Sequence, residues 1–164
     1  MEAFWERFVL HDMQQVRRLR GKKRDAERTC AGVMRLSPDD RENDLLLEEI
    51  LLGQRTAYVD TLSHLQKLER DIMRSRQYYI LADSTGRPRC VIRTTGAHFF
   101  AFREMREEWV RMEGVDASMP AWKTRWRAIL MQDAQALGRP MSLDEMMVAE
   151  TFAVVYQEEP DEEQ

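Results

Sequence analysis

Two rhythms of apolar positions run along the chain, and each predicts a kind of element. Phe4, Phe8, Met13 and Val16, with Leu19 at the edge, recur at helical spacing and predict an amphipathic helix over 3–19. A second, weaker helical segment is read from Asp25 to Met34. Ser37-Pro38-Asp39-Asp40 reads as a helix start: Ser37 can cap, Pro38 suits the first helical position, and the aspartates suit the positive end. The helix behind it carries Leu45, Leu46, Leu47, Ile50, Leu51 and Leu52, too many apolar residues for a thin stripe, so deep burial is expected. Gly53 fits its stop. A short β-prone run, Thr56 to Val59, precedes a further helical pattern over 62–74 through Leu62, Leu65, Leu68 and Ile72.

The middle of the chain changes period. Tyr78-Tyr79-Ile80-Leu81-Ala82 and Cys90-Val91-Ile92-Arg93-Thr94-Thr95 flank the turn-forming Asp83-Ser84-Thr85-Gly86-Arg87-Pro88, a strong hairpin signal. A third run, His98 to Phe102, follows, then a helix from Phe102 to Met112 that stops at Gly114. Ser118 can cap a long helix from Pro120 to Leu137, and Met146 to Tyr156 reads as the last strand. The strands cluster after residue 55 and follow one another as a meander, which predicts an α+β domain rather than a doubly wound sheet. The meander is expected to be the sheet core, with any site near its rim.

Length and charge narrow the classes. A chain of 164 residues is most simply one domain, expected over 1–157, with 1–36 a helical segment packed on it and 158–164 an acidic disordered tail. The net charge of −4 hides a local reversal: Arg17, Arg18, Arg20, Lys22, Lys23 and Arg24 put six positive charges into eight residues. They read either as a solvated helix end or as a phosphate-contacting arm. Two distant cysteines, Cys30 and Cys90, suggest a reducing compartment without disulfides. No apolar run reaches the length of a membrane span, and acidic Glu2 and Glu6 are unlike a signal peptide, so the expected location is cytoplasmic.

Familiar chemistries are missing. There is no dinucleotide or phosphate-loop glycine motif and no Ser/His/Asp hydrolase signature. His11, His64 and His98 lie far apart and neither cysteine sits in a Cys-x-x-Cys pair, so neither a metal site nor a cofactor is expected.

What remains is an ordered series of short motifs: Gly53-Gln54-Arg55-Thr56-Ala57, then Gly86-Arg87-Pro88-Arg89-Cys90-Val91-Ile92-Arg93-Thr94-Thr95, then Phe102-Arg103-Glu104-Met105. Glu113-Gly114-Val115-Asp116-Ala117-Ser118, Trp122 and Asp144 to Phe152 complete it. Together they resemble the longer bacterial branch of the ASCH domain family, within the PUA-like superfamily, over nearly the whole chain. The resemblance implies a small PUA-like antiparallel or mixed β-barrel of five or six strands surrounded by about five helices. It also implies an RNA- or nucleotide-binding role, with a cleft where the Gly-x-Lys-Thr loop meets the Glu-Gly-Glu segment. Small relatives that hydrolyse acetylated cytidine use the motif lysine, a nearby threonine and the second glutamate.

This chain departs from that pattern at each of those places. The lysine falls on Arg55, whose guanidinium stays protonated and cannot act as a general base. Thr56 matches the first threonine, but the second falls on Tyr58. The second glutamate is deleted or replaced by Val115, and a family histidine falls on Trp126. No catalytic residue is therefore assigned. The residues read as ligand-binding are Arg55, Thr56, Tyr58, Arg93, Glu113, Asp116, Trp126 and Glu150, with RNA or a nucleotide as partner and no membrane. Arg55 and Glu113 can equally form a buried ion pair, Trp122 and Trp126 can equally be core, and Arg93 can pair with Glu150 across the sheet. Two further readings stay open: a hydrolase of modified nucleosides or RNA with rearranged groups such as Glu113 and Asp116, and a protein-interaction or regulatory module.

Overall fold

A computed structural model describes residues 1–20 and 28–158, without the side chains of 16–20. Its elements are α1 (Glu2–Arg20), β1 (Cys30–Met34), α2 (Asp40–Leu51), β2 (Ala57–Thr61), α3 (Leu62–Lys67), β3 (Tyr78–Ala82), β4 (Pro88–Ala101), α4 (Glu107–Glu113), α5 (Met119–Ala136) and β5 (Met146–Gln157). The strands form one sheet in the order β1-β3-β4-β5-β2, an α+β arrangement with the β3–β4 hairpin at its middle. β1 runs parallel to β3, whereas β3–β4 and β2–β5 are antiparallel, so the sheet is mixed. β1 and β2 end the order, and among the described residues no pairing joins them. The expected barrel is thus an open sheet, because closure requires the two edge strands to hydrogen-bond to each other.

Several elements differ from the sequence reading. Residues 30–34 form a strand, not a helix; Cys30-Ala31-Gly32-Val33-Met34 alternates half-buried and exposed, a period that its small residues make faint. Asp39, not Ser37, caps α2, its side chain accepting from the Glu42 amide. The helix buries only Asn43, Leu47 and Ile50, while Leu45 and Leu52 are exposed, so the stripe is thin after all. The helix read over 62–74 stops at Lys67, and Glu69 just beyond it takes a positive φ of 52°. The hairpin return and the run after it are one 14-residue strand, β4. A 3-10 turn at Phe102–Glu104 precedes α4, breaking the predicted helix from Phe102 in two.

The chain divides into two compact units. One comprises Met1–Leu52, Arg76–Thr94 and Ala153–Gln164. Its core sets Phe4 and Phe8 of α1 against Ile80 and Val91, with Tyr156 edge-on to Phe4 at 5.4 Å. Full burial of such side chains contributes about 1.5–3 kcal/mol each. Cys90 is fully buried and burial pushes its thiol up to about 12, which makes it inert packing rather than a nucleophile. In the turn, Asp83 accepts from Thr85 and Arg87 and Gly86 takes a φ of 82°, as the hairpin requires.

The other unit comprises Gly53–Ser75 and Thr95–Phe152. Its core joins Val59, Met147, Ala149, Phe100 and Phe102 to Trp109, Val110, Trp122, Trp126 and Leu130 of α4 and α5. Among the described residues no helix is long and apolar enough to cross a membrane.

Candidate functional site

The second unit brings together the two segments between which the sequence placed a cleft. α4 ends at Glu113 because Gly114 adopts the left-handed conformation, φ 72°, and turns the chain back. The Gln54–Thr56 segment lies against that turn. The Thr56 amide donates to the Met112 carbonyl at 2.7 Å, and the Thr56 carbonyl accepts from the Phe152 amide at 3.0 Å. A Cβ on Gly114 would come within 2.1 Å of the Gln54 carbonyl oxygen, so only glycine permits this approach.

Glu113 is the centre of the constellation. It is 3% exposed, and both its oxygens are engaged: Oε2 accepts from the Trp122 indole at 2.7 Å and Oε1 from Arg125 Nη2 at 3.1 Å. Arg125 Nε donates to Asp116 at 2.8 Å, and its guanidinium lies 5.3 Å from the Trp126 ring centroid. The sequence builds this locally. Ser118 caps α5 by accepting from the Ala121 amide, and the helical spacing of 122, 125 and 126 then aims the three side chains one way. Arg55, also buried, adds its charge to the field on Glu113.

Burial raises the Glu113 pKa above the ordinary carboxylate range, and Arg125, the Trp122 hydrogen bond and Arg55 pull it only part of the way back. A raised folded-state pKa means that the folded protein holds the proton longer than the unfolded chain. This contribution to stability is therefore fully present below the unfolded pKa and lost as pH rises through the folded one. Glu113→Gln is expected to flatten that decline in a series of urea titrations from acid to neutral pH; an unchanged slope would exclude Glu113 as its source.

Three of the sequence-predicted ligand-binding residues lie elsewhere. Tyr58 of β2 stands opposite Glu150 of β5, one position from the Val59–Ala149 pair. Val59 and Ala149 pack into the core with Trp122 and Trp126, so alternation turns Tyr58 and Glu150 to the other face of the sheet. There Glu150, fully buried, accepts from Arg70 at 2.6 Å and from the Met73 amide at 2.7 Å. The Arg70 guanidinium lies 4.8 Å from the Tyr58 ring centroid. Tyr58 donates to Asp60, and burial raises its hydroxyl pKa well beyond the usual tyrosine range. Arg93 belongs to the first unit, exposed and in register with Tyr78. The side chains of Arg17, Arg18 and Arg20, and all of Lys22, Lys23 and Arg24, lie outside the described residues, as does the tail from 159.

Arg55, Thr56, Glu113, Asp116 and Trp126 thus gather around α4 and α5, and Tyr58 with Glu150 forms a separate cluster. Trp126 is 4% exposed. The reading of the sequence missed Arg125 and Arg70. Arg125 had a signal, its position three residues after Trp122; Arg70 had none, since the loop that carries it read as helix. Among the described residues, no group of three His, Cys, Asp or Glu side chains is placed to hold a metal ion.

Comparison with known proteins bears on the family and the fold. The family model of the ASCH domain matches residues 34–156. The fold is similar to that of an ASCH domain from Lactobacillus crispatus JV V101, at a TM-score of 0.70 and 18% identity, covering 95% of this chain and 94% of that one. It is also similar to a protein from Enterococcus faecalis V583, at a TM-score of 0.64 and 20% identity, covering 93% and 86% respectively. No curated protein matches the sequence.

Proposed function

Because the chain belongs to the ASCH domain family, we propose that it binds RNA or a nucleotide through the Glu113–Arg125 constellation and does not hydrolyse amides. The observation that carries the binding half is an orphan donor: the Trp126 indole N–H is buried with no hydrogen-bond partner among the described residues. A buried donor left unpaired costs about 1–3 kcal/mol, so its persistence beside a charged cluster favours an acceptor that arrives with a ligand. Carbonyls on a base edge or phosphate oxygens are such acceptors. Arg125 keeps 30% of its side chain exposed at the same place. Half-buried Lys123 and exposed Arg127, two positions either side of Arg125 on α5, add charge on a neighbouring face of that helix, suited to a phosphate backbone.

The non-catalytic half rests on chemistry. Arg55 stays protonated where the amidohydrolases use a lysine base. Glu113 is 3% exposed and its two oxygens already accept from Trp122 and Arg125, contacts that hold it in place as a structural carboxyl group.

The test is a titration of the full chain with short single-stranded RNAs and with nucleotides at two salt concentrations. Affinity should fall as salt rises, and the paired change Lys123→Gln with Arg127→Gln should flatten the logarithmic slope by roughly 1.4, at about 0.7 per phosphate contact. Trp126→Phe should weaken binding about tenfold by removing the donor. No binding at low salt, or full affinity in all these variants, would sink the proposal. Acetylated cytidine should remain unchanged on incubation; deacetylation that Glu113→Gln abolishes would instead favour the hydrolase reading.

A further inference from the structure

A cavity of about 310 Å³ opens in the second unit between α3 and the end of α5, and no residue of the Glu113–Arg125 constellation lines it. That volume lies at the lower end of the range for small-molecule sites. One wall is apolar, formed by Leu130 and Leu137 on one face of α5. The opposite wall is α3, which presents His64 and Lys67. The segment after α5 closes one side with Glu145, which accepts from Ser63 at 3.2 Å and from Arg139 at 3.1 Å and is thereby neutralised and held.

Three polar groups on the walls are left for a ligand. His64 is held from behind: its Nδ1 lies 2.7 Å from Asp60, a buried carboxylate that also accepts from the Thr61 amide and the Tyr58 hydroxyl. With Nδ1 held by Asp60, Nε2 is the ring's free polar edge, in a fixed orientation. Lys67 and Asp133 face the same cavity, and neither makes an ion pair among the described residues, with each other or with any other group. Opposite charges on one cavity that do not meet leave space between them for a molecule carrying both.

We propose that this cavity is a second binding site, for a small zwitterion of amino-acid type with an aliphatic side chain. Its carboxylate faces Lys67, its ammonium group faces Asp133 beside the Nε2 edge of His64, and its hydrocarbon part covers Leu130 and Leu137. The site is independent of the RNA- or nucleotide-binding reading, with which it shares no residue.

Isothermal titration of the full chain tests it with three probes of one shape: leucine, isoamylamine, which lacks the carboxylate, and 4-methylpentanoate, which lacks the ammonium. Leucine should bind at least about tenfold more tightly than either. Lys67→Met should bring leucine down to the level of the amine, and Asp133→Asn to that of the acid. Both positions are exposed, so circular dichroism and melting temperature should stay those of the parent. AMP should not displace leucine. Absence of leucine binding, equal affinity for leucine and 4-methylpentanoate, unchanged affinity in both variants, or displacement by AMP would each overturn the assignment.

Discussion

Gly114→Ala is expected to destabilise the protein by about 2–5 kcal/mol. About 1–2 kcal/mol of this comes from forcing an L-residue into the left-handed region at φ 72°. The remainder, about 1–3 kcal/mol, is steric: the new methyl group would sit 2.1 Å from the Gln54 carbonyl oxygen, and that partner is backbone with no rotamer to escape into. Gly53 supplies the control. It has the same φ of 72°, yet a Cβ there meets nothing within 4 Å, so Gly53→Ala should cost only the conformational part. Urea denaturation of both variants separates the two terms. Equal losses would mean that the Gln54–Thr56 segment is not held against the end of α4 as described, and the constellation around Glu113 would lose its geometric basis.

Trp122→Ala is the second large effect, at about 4–8 kcal/mol. Removing a fully buried tryptophan leaves a cavity worth about 3–5 kcal/mol, and it strips Glu113 of the donor at 2.7 Å, worth about 1–3 kcal/mol more. Against the 5–15 kcal/mol of a typical domain, that is enough to unfold much of the population. Trp122→Phe separates the parts. A phenyl ring retains much of the stacking on Phe102, whose ring lies 5.5 Å away, but it donates nothing. Its cost should be about 1–3 kcal/mol and should grow as pH rises and Glu113 ionises without its partner. A loss that does not depend on pH would show that Trp122 serves only as packing.

The central hairpin, the long α5 with its Ser118 cap, and the stop at Gly114 were legible because each is specified by neighbours in sequence. A turn rich in Asp, Gly and Pro between β-branched runs has few alternatives, and the same is true of a serine before a proline-led amphipathic helix. The family resemblance was legible for the same reason, since short motifs in order are a linear property. β1 was not legible. Cys30-Ala31-Gly32-Val33-Met34 is too small-residued to declare a period, and its strand state comes from parallel pairing with β3, 47 to 48 residues later. α2 was read as deeply buried from six apolar residues, but how much of that surface is covered depends on what packs on it.

For the site, the sequence by itself determined which groups are at hand: the guanidinium of Arg55, the carboxylates of Glu113 and Asp116, and the indoles of Trp122 and Trp126. Those are identities, and no fold can alter them. Only the tertiary structure decided which residues share a place. Strand alternation turned Tyr58 and Glu150 away from Trp126, the helical face of α5 delivered Arg125 to Glu113 and Asp116, and α3 met the end of α5 around a cavity that no linear motif announces. The reason is physical. Side-chain identity is local, whereas the burial and pairing that fix a carboxylate's partners, and hence its protonation, depend on segments far apart in the chain.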